Sequence, residues 1–189
     1  MTRKVTFGGA VSLDMYFAGP GEAMDWLRWS DEAAAVSAAS WKGVDTMLMG
    51  RRTFDFAMRE GGGLRVGPRI RTFVFSRTLS EVPEGAQLVG GDAADFVRRL
   101  KAEPGGDIIV MGGGELGSAL IDAGLVDEIG LNVHPVLLGG GIPAFRPMAR
   151  RVEVELVEAR PLAKGCVLLR YRAGGGSDLP PGEDEPVTP

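Results

Sequence analysis

The sequence predicts an α/β fold built on one central sheet whose strands are mostly parallel. Short apolar runs alternate along the chain with segments of helical pattern, which is typical of repeated strand–helix units. Glycine-containing turns follow several of these runs directly, as they do where a buried strand leads into a helix. The last two apolar runs have no helix between them, so we expect an antiparallel hairpin at the C-terminal edge of the sheet.

The first half of the chain predicts strand–helix units separated by a long loop. The alanine-rich segment before Trp41 favours a helix, and Ser30 or Asp31 can cap its first turn. Gly50 turns the chain from an apolar strand into a helix that begins RRTFDFAM. The predicted elements are a strand over 5–11, a loop through 18–26, a helix over about 31–41, a strand over 46–49, a helix from 51 that the glycines at 61–63 end, and strands over 72–75 and 87–89.

The second half repeats the alternation and then ends in the hairpin. Asp92 can cap an amphipathic helix that has Phe96, Val97 and Leu100 on one face and ends before Pro104. The remaining predicted elements are a buried strand over 108–111, a helix marked by Leu116, Leu120 and Ile121, a strand over 126–133, a turn-rich loop over 134–145, and hairpin strands over 152–157 and 167–171.

The chain divides into one folded domain over 1–173 and an acidic tail over 174–189. The tail contains four glycines, four prolines and four acids but no base, and this composition predicts disorder because little apolar surface could be buried. The net charge of −4 equals the charge of those four acids, so the folded domain is formally neutral. The net acidic charge of the chain argues against a nucleic-acid partner that would bind through a large basic surface.

Histidine and cysteine each occur once, as His134 and Cys166. This excludes an internal disulfide and a metal site built from several histidines and cysteines, and it argues against a Cys–His or Ser–His catalytic pair. We expect His134 to be a hydrogen-bonded structural residue and Cys166 to be a small packed one. Because no apolar run approaches the roughly 20 residues that span a bilayer, and no signal-peptide pattern is found, we expect a cytoplasmic protein.

Three turns at the ends of apolar strands combine glycine or arginine in a way that suits a phosphorylated ligand. Their sequences are MLMGRRTF, VFSRTL and IIVMGGGELG. Ligands of open α/β sheets collect at the carboxyl ends of strands, where backbone amides and arginines can bind phosphate. The residues therefore favour a ligand such as a dinucleotide, and the alternative is that Arg51, Arg52 and Arg77 only solvate the loop tips.

The run over 112–117 formally matches the G-x-G-x-x-G pattern of dinucleotide-binding Rossmann folds. It comes late in the chain, and the next predicted strand does not end in the acid that this pattern needs. We interpret it as a glycine turn that leads into a helix.

Several short motifs, in a specific order and spacing, together resemble the dihydrofolate reductase superfamily. They are VSLD at 11–14, AMDW at 23–26, MGRRTF at 49–54, FSRTL at 75–79, IIVMGGGEL at 108–116 and GLVDEIGLNVHPVLLGGG at 124–141, followed by Phe145. The resemblance covers about residues 3–172. The last long motif favours the branch formed by the C-terminal reductase domain of bacterial riboflavin biosynthesis enzymes and its stand-alone relatives.

This resemblance implies a dihydrofolate reductase-like fold and an NADPH site at the carboxyl edge of the sheet. The residues that it assigns to the phosphates are Gly50, Arg51, Arg52 and Thr53, with Ser76, Arg77 and Thr78 around the adenosine 2′-phosphate. The residues that it assigns near the pyrophosphate and nicotinamide are Gly112, Gly113, Gly114, Glu115, Leu116 and Ala10. In this superfamily the bond between the two glycines at 112 and 113 is typically cis, and the loop over 12–26 resembles a mobile flap.

The resemblance also suggests where a substrate would bind. Asp31 lies five residues after Trp26, the spacing at which a carboxylate contacts the pterin in dihydrofolate reductases, so Asp31 is the candidate catalytic residue. Its alternative role is to cap the helix. Asp14 and Trp26 are candidate substrate-binding residues, and the alternative for Asp14 is a hydrogen bond that orders its loop.

The branch usually has SLDG where this chain has methionine at position 15, which alters the expected path of the loop. Lys4 and Arg146 are the candidates for holding a ribose-phosphate substrate. The resemblance implies an NADPH-dependent reductase of a pterin-, pyrimidine- or related heterocycle-type small molecule. The alternatives are the reductase that acts on 5-amino-6-(5-phosphoribosylamino)uracil, and a non-catalytic dinucleotide-binding module. We also expect a homodimer that forms through the sheet edge.

Overall fold

The computed structural model describes residues 3–59 and 69–174, and these residues form the predicted α/β architecture. The glycines at 61–63 and the tail from 175 onward lie outside the described residues, so the helix stop and the tail remain predictions. The helices are α1 (Asp31–Ser40), α2 (Arg51–Arg59), α3 (Ala93–Ala102) and α4 (Gly114–Asp122). The strands are β1 (Val5–Ser12), β2 (Tyr16–Ala18), β3 (Val44–Gly50), β4 (Arg71–Phe75), β5 (Ala86–Val89), β6 (Asp107–Met111), β7 (Glu128–His134), β8 (Ile142–Pro143), β9 (Val154–Pro161) and β10 (Val167–Ala173).

One eight-stranded sheet organises the domain in the order β5-β4-β3-β6-β1-β7-β10-β9. The pairs from β5 to β7 are all parallel, whereas β10 is antiparallel to both β7 and β9. The predicted mostly parallel sheet with an antiparallel C-terminal hairpin is therefore confirmed. Because these strands are parallel, the carboxyl ends of β1, β3, β4 and β6 meet at one edge of the sheet.

Two apolar clusters cover opposite faces of this sheet. Ile108 and Val110 belong to the cluster that α3 and α4 complete, whereas Ile109 between them belongs to the cluster that contains Phe54 of α2. Successive side chains of a strand point to opposite faces, so α2 lies on the other side of the sheet from α3 and α4. The glycine turns that lead into α2 and α4 are thereby held on both faces of one sheet edge.

Helix α4 lies unusually close to β1. A Cβ atom on Gly117 would come within 2.1 Å of the Phe7 ring, and Phe7 is fully buried. Glycine at this position lets the helix pack directly on the aromatic ring, which fixes the start of α4 over the central strand.

The two predicted helix caps can be compared with the structure directly. Ser30 Oγ accepts a hydrogen bond from the Ala33 amide at 3.2 Å, so Ser30 is the cap of α1 and Asp31 is its first helical residue. Asp92 Oδ1 accepts from the Asp95 amide at 2.8 Å, which confirms the predicted cap of α3.

The structure differs from the sequence prediction mainly in the loops and at the hairpin. The loops that were expected to be irregular contain β2 and β8, which pair with each other across more than a hundred residues of sequence. Strand β9 is displaced toward the C-terminus relative to the predicted strand over 152–157. Its side chains are mostly exposed, so an alternating pattern of burial could not mark its ends.

Candidate active site

A cavity of about 1260 Å³ opens at the carboxyl ends of β1, β3, β4 and β6. Pockets for small molecules typically measure about 300–1,000 Å³, so this one has room for a larger ligand. The structure brings all the predicted cofactor residues to its wall. They are Ala10, Gly50, Arg51, Arg52, Thr53, Ser76, Arg77, Thr78, Gly112, Gly113, Gly114, Glu115 and Leu116.

Of the three arginines predicted to bind the cofactor, two are available to bind an anion. Arg51 is held by Asp55, whose Oδ2 lies 3.2 Å from its Nε, and it also donates to Thr78 Oγ1. Arg52 and Arg77 are exposed, and neither forms an ion pair or a side-chain hydrogen bond with any residue in 3–59 or 69–174. Exposed guanidinium groups whose donors are not engaged by these residues can bind the oxygens of a phosphate.

The turn after β4 is held in shape by a serine hydroxyl. Ser76 Oγ accepts hydrogen bonds from the Leu79 amide at 3.0 Å and from the Thr78 amide at 3.2 Å. This local pattern fixes a tight turn and leaves Arg77 exposed within it. The sequence FSRTL thus encodes both the turn and the cation that it presents.

The turn after β6 requires glycine. Gly112 and Gly113 have φ angles of 56° and 67°, in the left-handed region, and a Cβ atom on Gly112 would lie 2.9 Å from Thr53 Oγ1. Gly113 precedes α4 without any side chain that caps it, so amides of the first helical turn are left for a ligand. The peptide bond between the two glycines is trans, which corrects the cis bond that the resemblance implied, because two consecutive left-handed residues turn the chain without it.

Asp14 lies outside the residues that line the cavity and orders a loop instead. Its carboxylate accepts hydrogen bonds from the Ser12 hydroxyl at 2.6 Å and from the amides of Leu138 and Gly139. The hydrogen bond from Ser12 is the largest of the effects that lower the pKa of Asp14 to about 2. The contacts of Asp14 therefore match the alternative role, in which its hydrogen bonds order the loop.

The next residue explains the departure from the SLDG pattern. Met15 has a φ angle of 62°, in the left-handed region that glycine normally occupies, and its amide donates to the Ser12 carbonyl at 2.9 Å. Its side chain packs against the larger apolar cluster. The loop therefore follows a glycine-like path in spite of the methionine.

Trp26 also lies outside the cavity lining, against the single histidine. Its indole and the His134 ring meet edge to face with their centroids 5.3 Å apart, and its Nε1 donates to the Ala23 carbonyl at 3.0 Å. His134 is fully buried, and its Nδ1 accepts from the Arg28 amide at 3.0 Å. His134 is therefore the hydrogen-bonded structural residue that the sequence predicted.

Asp31 is not brought to the cavity either. It is exposed in the first turn of α1, and the cavity lining does not include it. Of the two basic candidates for a phosphorylated substrate, Arg146 lines the cavity. Lys4 pairs with Glu128 at 3.3 Å near the other end of β1.

Several lining residues were not identified from the sequence. They are Phe17, Glu22, Met24, Trp41, Gly90, Gly91, Asp92 and Ile142, among others. The pair of glycines before Asp92 follows a parallel strand, so the strand-end rule could have found it. The flap residues could not be placed, because Glu22 of the flap pairs with Arg59 at the end of α2, which is far away in the sequence.

Among the described residues, no group of three or more histidine, cysteine, aspartate or glutamate side chains is placed to hold a metal ion. In the same part of the chain, no helix is long and apolar enough to cross a membrane.

Comparisons with known proteins agree with this fold. The chain is 30% identical to the uncharacterized protein YyaP of Bacillus subtilis (strain 168) over 92% of its own length and 96% of that protein. It superposes on the crystal structure of a protein from Shewanella sp. PV-4, ascribed provisionally to riboflavin biosynthesis, with a TM-score of 0.81 at 25% identity over 92% of this chain and 99% of that one.

A dihydrofolate reductase from Enterococcus faecalis, solved in complex with NADP(H), shares the fold. Its TM-score is 0.66 at 18% identity, over 92% of this chain and 99% of that one. The RibD C-terminal domain family matches residues 3–168, nearly the whole described fold. The chain belongs to the RibD C-terminal domain family, within the dihydrofolate reductase-like superfamily.

Proposed function

We propose that the chain is an NADPH-dependent reductase that transfers a hydride to a heterocyclic small molecule. The observation that carries this proposal is the joint placement of the glycine turn at 112–113 and of Arg52 and Arg77, which have no ion pair within 3–59 or 69–174, at one large cavity. Membership in a family of reductase domains supports an oxidoreductase in general.

The residues of the cavity fit a dinucleotide. The first-turn amides of α4 and the left-handed glycines before it offer donors to a pyrophosphate, and a Cβ on Gly112 would press on the Thr53 side chain at this turn. Ala10, at the end of β1, would contact the carboxamide end of the ligand. When bound, the reduced nicotinamide supplies the hydride, and the chain contributes orientation and the exclusion of water.

Arg52 and Arg77 are the residues that we assign to the 2′-phosphate that distinguishes NADPH from NADH. Arg51 contributes less because Asp55 and Thr78 already engage it. A charge-assisted hydrogen bond is worth about 1.5–3 kcal/mol, so loss of one such arginine corresponds to at least tenfold in affinity.

The source of the proton is either Asp31, as the resemblance suggests, or water. Three carboxylates line the cavity: Glu22 is paired with Arg59, Asp92 caps α3, and Glu115 is exposed in the first turn of α4, on the side assigned to the pyrophosphate, so we assign none of them as the acid. Asp31→Asn separates the two sources. Lower turnover at unchanged NADPH affinity supports Asp31, and unchanged turnover leaves it the role of a first-turn acid that stabilises α1.

Arg146 gives a reason to consider a phosphorylated substrate. It lines the cavity, is exposed, and forms no side-chain ion pair or hydrogen bond within the described ranges. A related solved structure from Thermotoga maritima is a bifunctional enzyme that includes a 5-amino-6-(5-phosphoribosylamino)uracil reductase. The second candidate substrate is therefore that pyrimidine, with Arg146 binding its phosphate.

The direct test follows the loss of reduced nicotinamide absorbance with dihydrofolate, with 5-amino-6-(5-phosphoribosylamino)uracil and with a set of other oxidised pterins and pyrimidines. We expect NADPH oxidation with at least one of them. If Arg146 binds a phosphate, Arg146→Ala raises KM for the phosphorylated compound only. Tight NADPH binding with no turnover on any compound would contradict the reductase and favour a non-catalytic module.

We further propose a homodimer that forms through β9. This strand is the edge of the sheet, and Val154, Leu156 and Val157 are 41%, 54% and 49% exposed on it. An unpaired edge strand with exposed apolar side chains is a surface that a second chain can cover.

A further inference from the structure

The loop over 19–29 forms one wall of the cavity and is tied to the sheet at His134. Glu22 and Met24 of this loop line the cavity. A few residues later, the Arg28 amide donates to His134 Nδ1 at 3.0 Å, and Trp26 packs edge to face on the same ring. One short segment thus carries two cavity side chains and the contacts to one buried imidazole.

The imidazole of His134 is built to be neutral in this arrangement. Because Nδ1 accepts a hydrogen bond, the single ring proton lies on Nε2. Nε2 is buried and has no hydrogen-bond partner among the described residues. A second proton on Nδ1 would remove the bond to Arg28 and place a cation without a partner in a buried site.

Of the titratable groups on the elements packed around the ring, Arg28 opposes its protonation by charge. The others are Lys164, which donates to the Trp29 carbonyl, Cys166, which donates to the Arg28 carbonyl, and Asp14, which Ser12 separates from the ring at the end of β1. The Asp14 carboxylate is already occupied by the Ser12 hydroxyl and the Leu138 and Gly139 amides. Burial first, and then the charge of Arg28, lower the pKa of His134.

We propose that His134 is a positioning residue of the cavity: its neutral imidazole docks the 19–29 loop, and its protonation releases the wall that carries Glu22 and Met24 and so weakens ligand binding. The inference concerns regulation of the site and rests on the proposed NADPH-binding function. It assigns the single histidine a role that does not require contact with substrate or cofactor.

The direction of the effect follows from linkage. The docked loop favours the neutral ring, so the pKa of His134 in the docked form lies below its ordinary value of 6.5. The 19–29 loop is then fully docked above pH 6.5, and docking is lost as the pH falls through the lowered pKa of His134. Coupling between sites is reciprocal, so a ligand that binds the docked form must lower the pKa of His134 further.

The test is a proton NMR titration of the imidazole, which is unambiguous because His134 is the only histidine of the untagged chain. The titration runs from about pH 8 to about pH 5, across the range in which histidine changes charge, without ligand and with saturating NADPH. We expect a pKa below 6.5 in the free protein and a further decrease with NADPH. Each unit of that decrease corresponds to a tenfold difference in NADPH affinity between the two protonation states. An identical pKa in both titrations would overturn the inference.

His134→Asn is the matched variant, because its side-chain oxygen can accept from the Arg28 amide near the Nδ1 position but does not titrate. The 2′-phosphate of NADPH titrates in the same range, but it does so equally with the wild type and the variant. The wild type also has the titration of His134, so its NADPH affinity should fall more steeply than that of the variant between about pH 7 and about pH 5. Parallel pH profiles contradict the proposal. If the variant does not fold, the NMR titration decides alone.

The failure of the proposed function can be told apart from the failure of this inference. No NADPH binding by the wild type at pH 8 contradicts the proposed function itself. Docking of the 19–29 loop on His134 can then be tested without ligand, by the fluorescence of Trp26 in a Trp29→Phe, Trp41→Phe double variant. This fluorescence should change as His134 titrates, because the rings of Trp26 and His134 are in contact. A Trp26 signal that does not follow this titration overturns the docking step as well.

Discussion

Asp14, between β1 and β2, and Asp31, at the start of α1, have opposite surroundings. Asp14 accepts three kinds of hydrogen bond that join the ends of β1 and β7, whereas Asp31 is exposed in a first helical turn. Sequence alone offered both as candidate acids, because a carboxylate's role depends on donors that come from distant loops. The amides of Leu138 and Gly139, which settle the contacts of Asp14, lie more than a hundred residues away in the sequence.

The hydrogen bonds to Asp14 predict a pH-dependent contribution to stability. The pKa of Asp14 in the folded chain is lowered from 3.8 to about 2, so its stabilisation is present above 3.8 and is lost as the pH falls toward 2. Urea unfolding of Asp14→Asn should show a lower free energy of unfolding than wild type at neutral pH, with the difference closing near pH 2. Asp25→Asn, which replaces an exposed aspartate in the next loop, is the control and should show no such difference. A gap for Asp14→Asn that does not change with pH would contradict the assignment.

The exposed arginines Arg52 and Arg77 predict a selective loss of cofactor affinity. Arg77→Ala should weaken NADPH binding by about tenfold or more, through loss of a charge-assisted hydrogen bond, and should leave NADH binding almost unchanged. Fluorescence titration of both nucleotides measures this. Arg99→Ala removes an exposed arginine of α3 that does not line the cavity and should change neither affinity. Equal losses for NADPH and NADH in Arg77→Ala would remove its assignment to the 2′-phosphate.

At the scale of elements, the helix starts and buried strands could be predicted because their signals are local. Ser30 and Asp92 mark helix starts by hydrogen bonds that span three residues, and the apolar strand before Gly112 is buried at its centre, over 108–110. The pairing of β2 with β8 and the limits of the exposed β9 could not be predicted. Both depend on partners that only the folded sheet supplies.

The contact between α4 and β1 predicts that Gly117 cannot be enlarged. Gly117→Ala places a methyl group in the Phe7 ring, and overpacking of this kind costs about 1–3 kcal/mol. The better helix propensity of alanine offsets about 1 kcal/mol of that cost. Because the Phe7 ring is fully buried and the methyl group would overlap it deeply, we expect the upper end of that cost and a net loss of about 2 kcal/mol in the free energy of unfolding.

Gly130→Ala is the matched control for this prediction. A Cβ atom at Gly130, on β7, would meet no atom within 4 Å, so its free energy of unfolding should stay within about 0.5 kcal/mol of wild type. Equal stability of Gly117→Ala and wild type would mean that α4 can move away from β1, and that the start of α4 is not fixed by this contact.

On the scale of the whole molecule, the location of the cavity was predictable and its flap side was not. Parallel strand ends that carry glycine and arginine must meet at one edge, so the turns after β3, β4 and β6 could be assigned to one site from sequence. Glu22, Met24 and Arg146 reach the cavity through long loops whose course has no periodic signal. The sequence therefore predicts the residues on the phosphate side of the cavity more completely than those on its substrate side.

The exposed edge strand predicts the oligomeric state. If β9 pairs with a second chain, Leu156→Lys should shift the protein from dimer to monomer, because it puts a charge on the apolar edge. Sedimentation velocity measures the change. Leu13→Lys alters a leucine of similar exposure away from β9 and should leave the dimer intact. A wild type that sediments as a monomer, or a Leu156→Lys dimer, would contradict the β9 interface.

We propose that the cavity at the carboxyl edge of the sheet binds NADPH through the glycine turn after β6 and the arginines after β3 and β4. Fluorescence titration of the wild-type chain with NADPH and with NADH, under identical conditions, tests this binding. We predict saturable binding of both, with NADPH tighter by about tenfold or more because only NADPH carries the 2′-phosphate. Equal affinity for the two nucleotides would contradict the role of the arginines, and binding of neither would contradict the site.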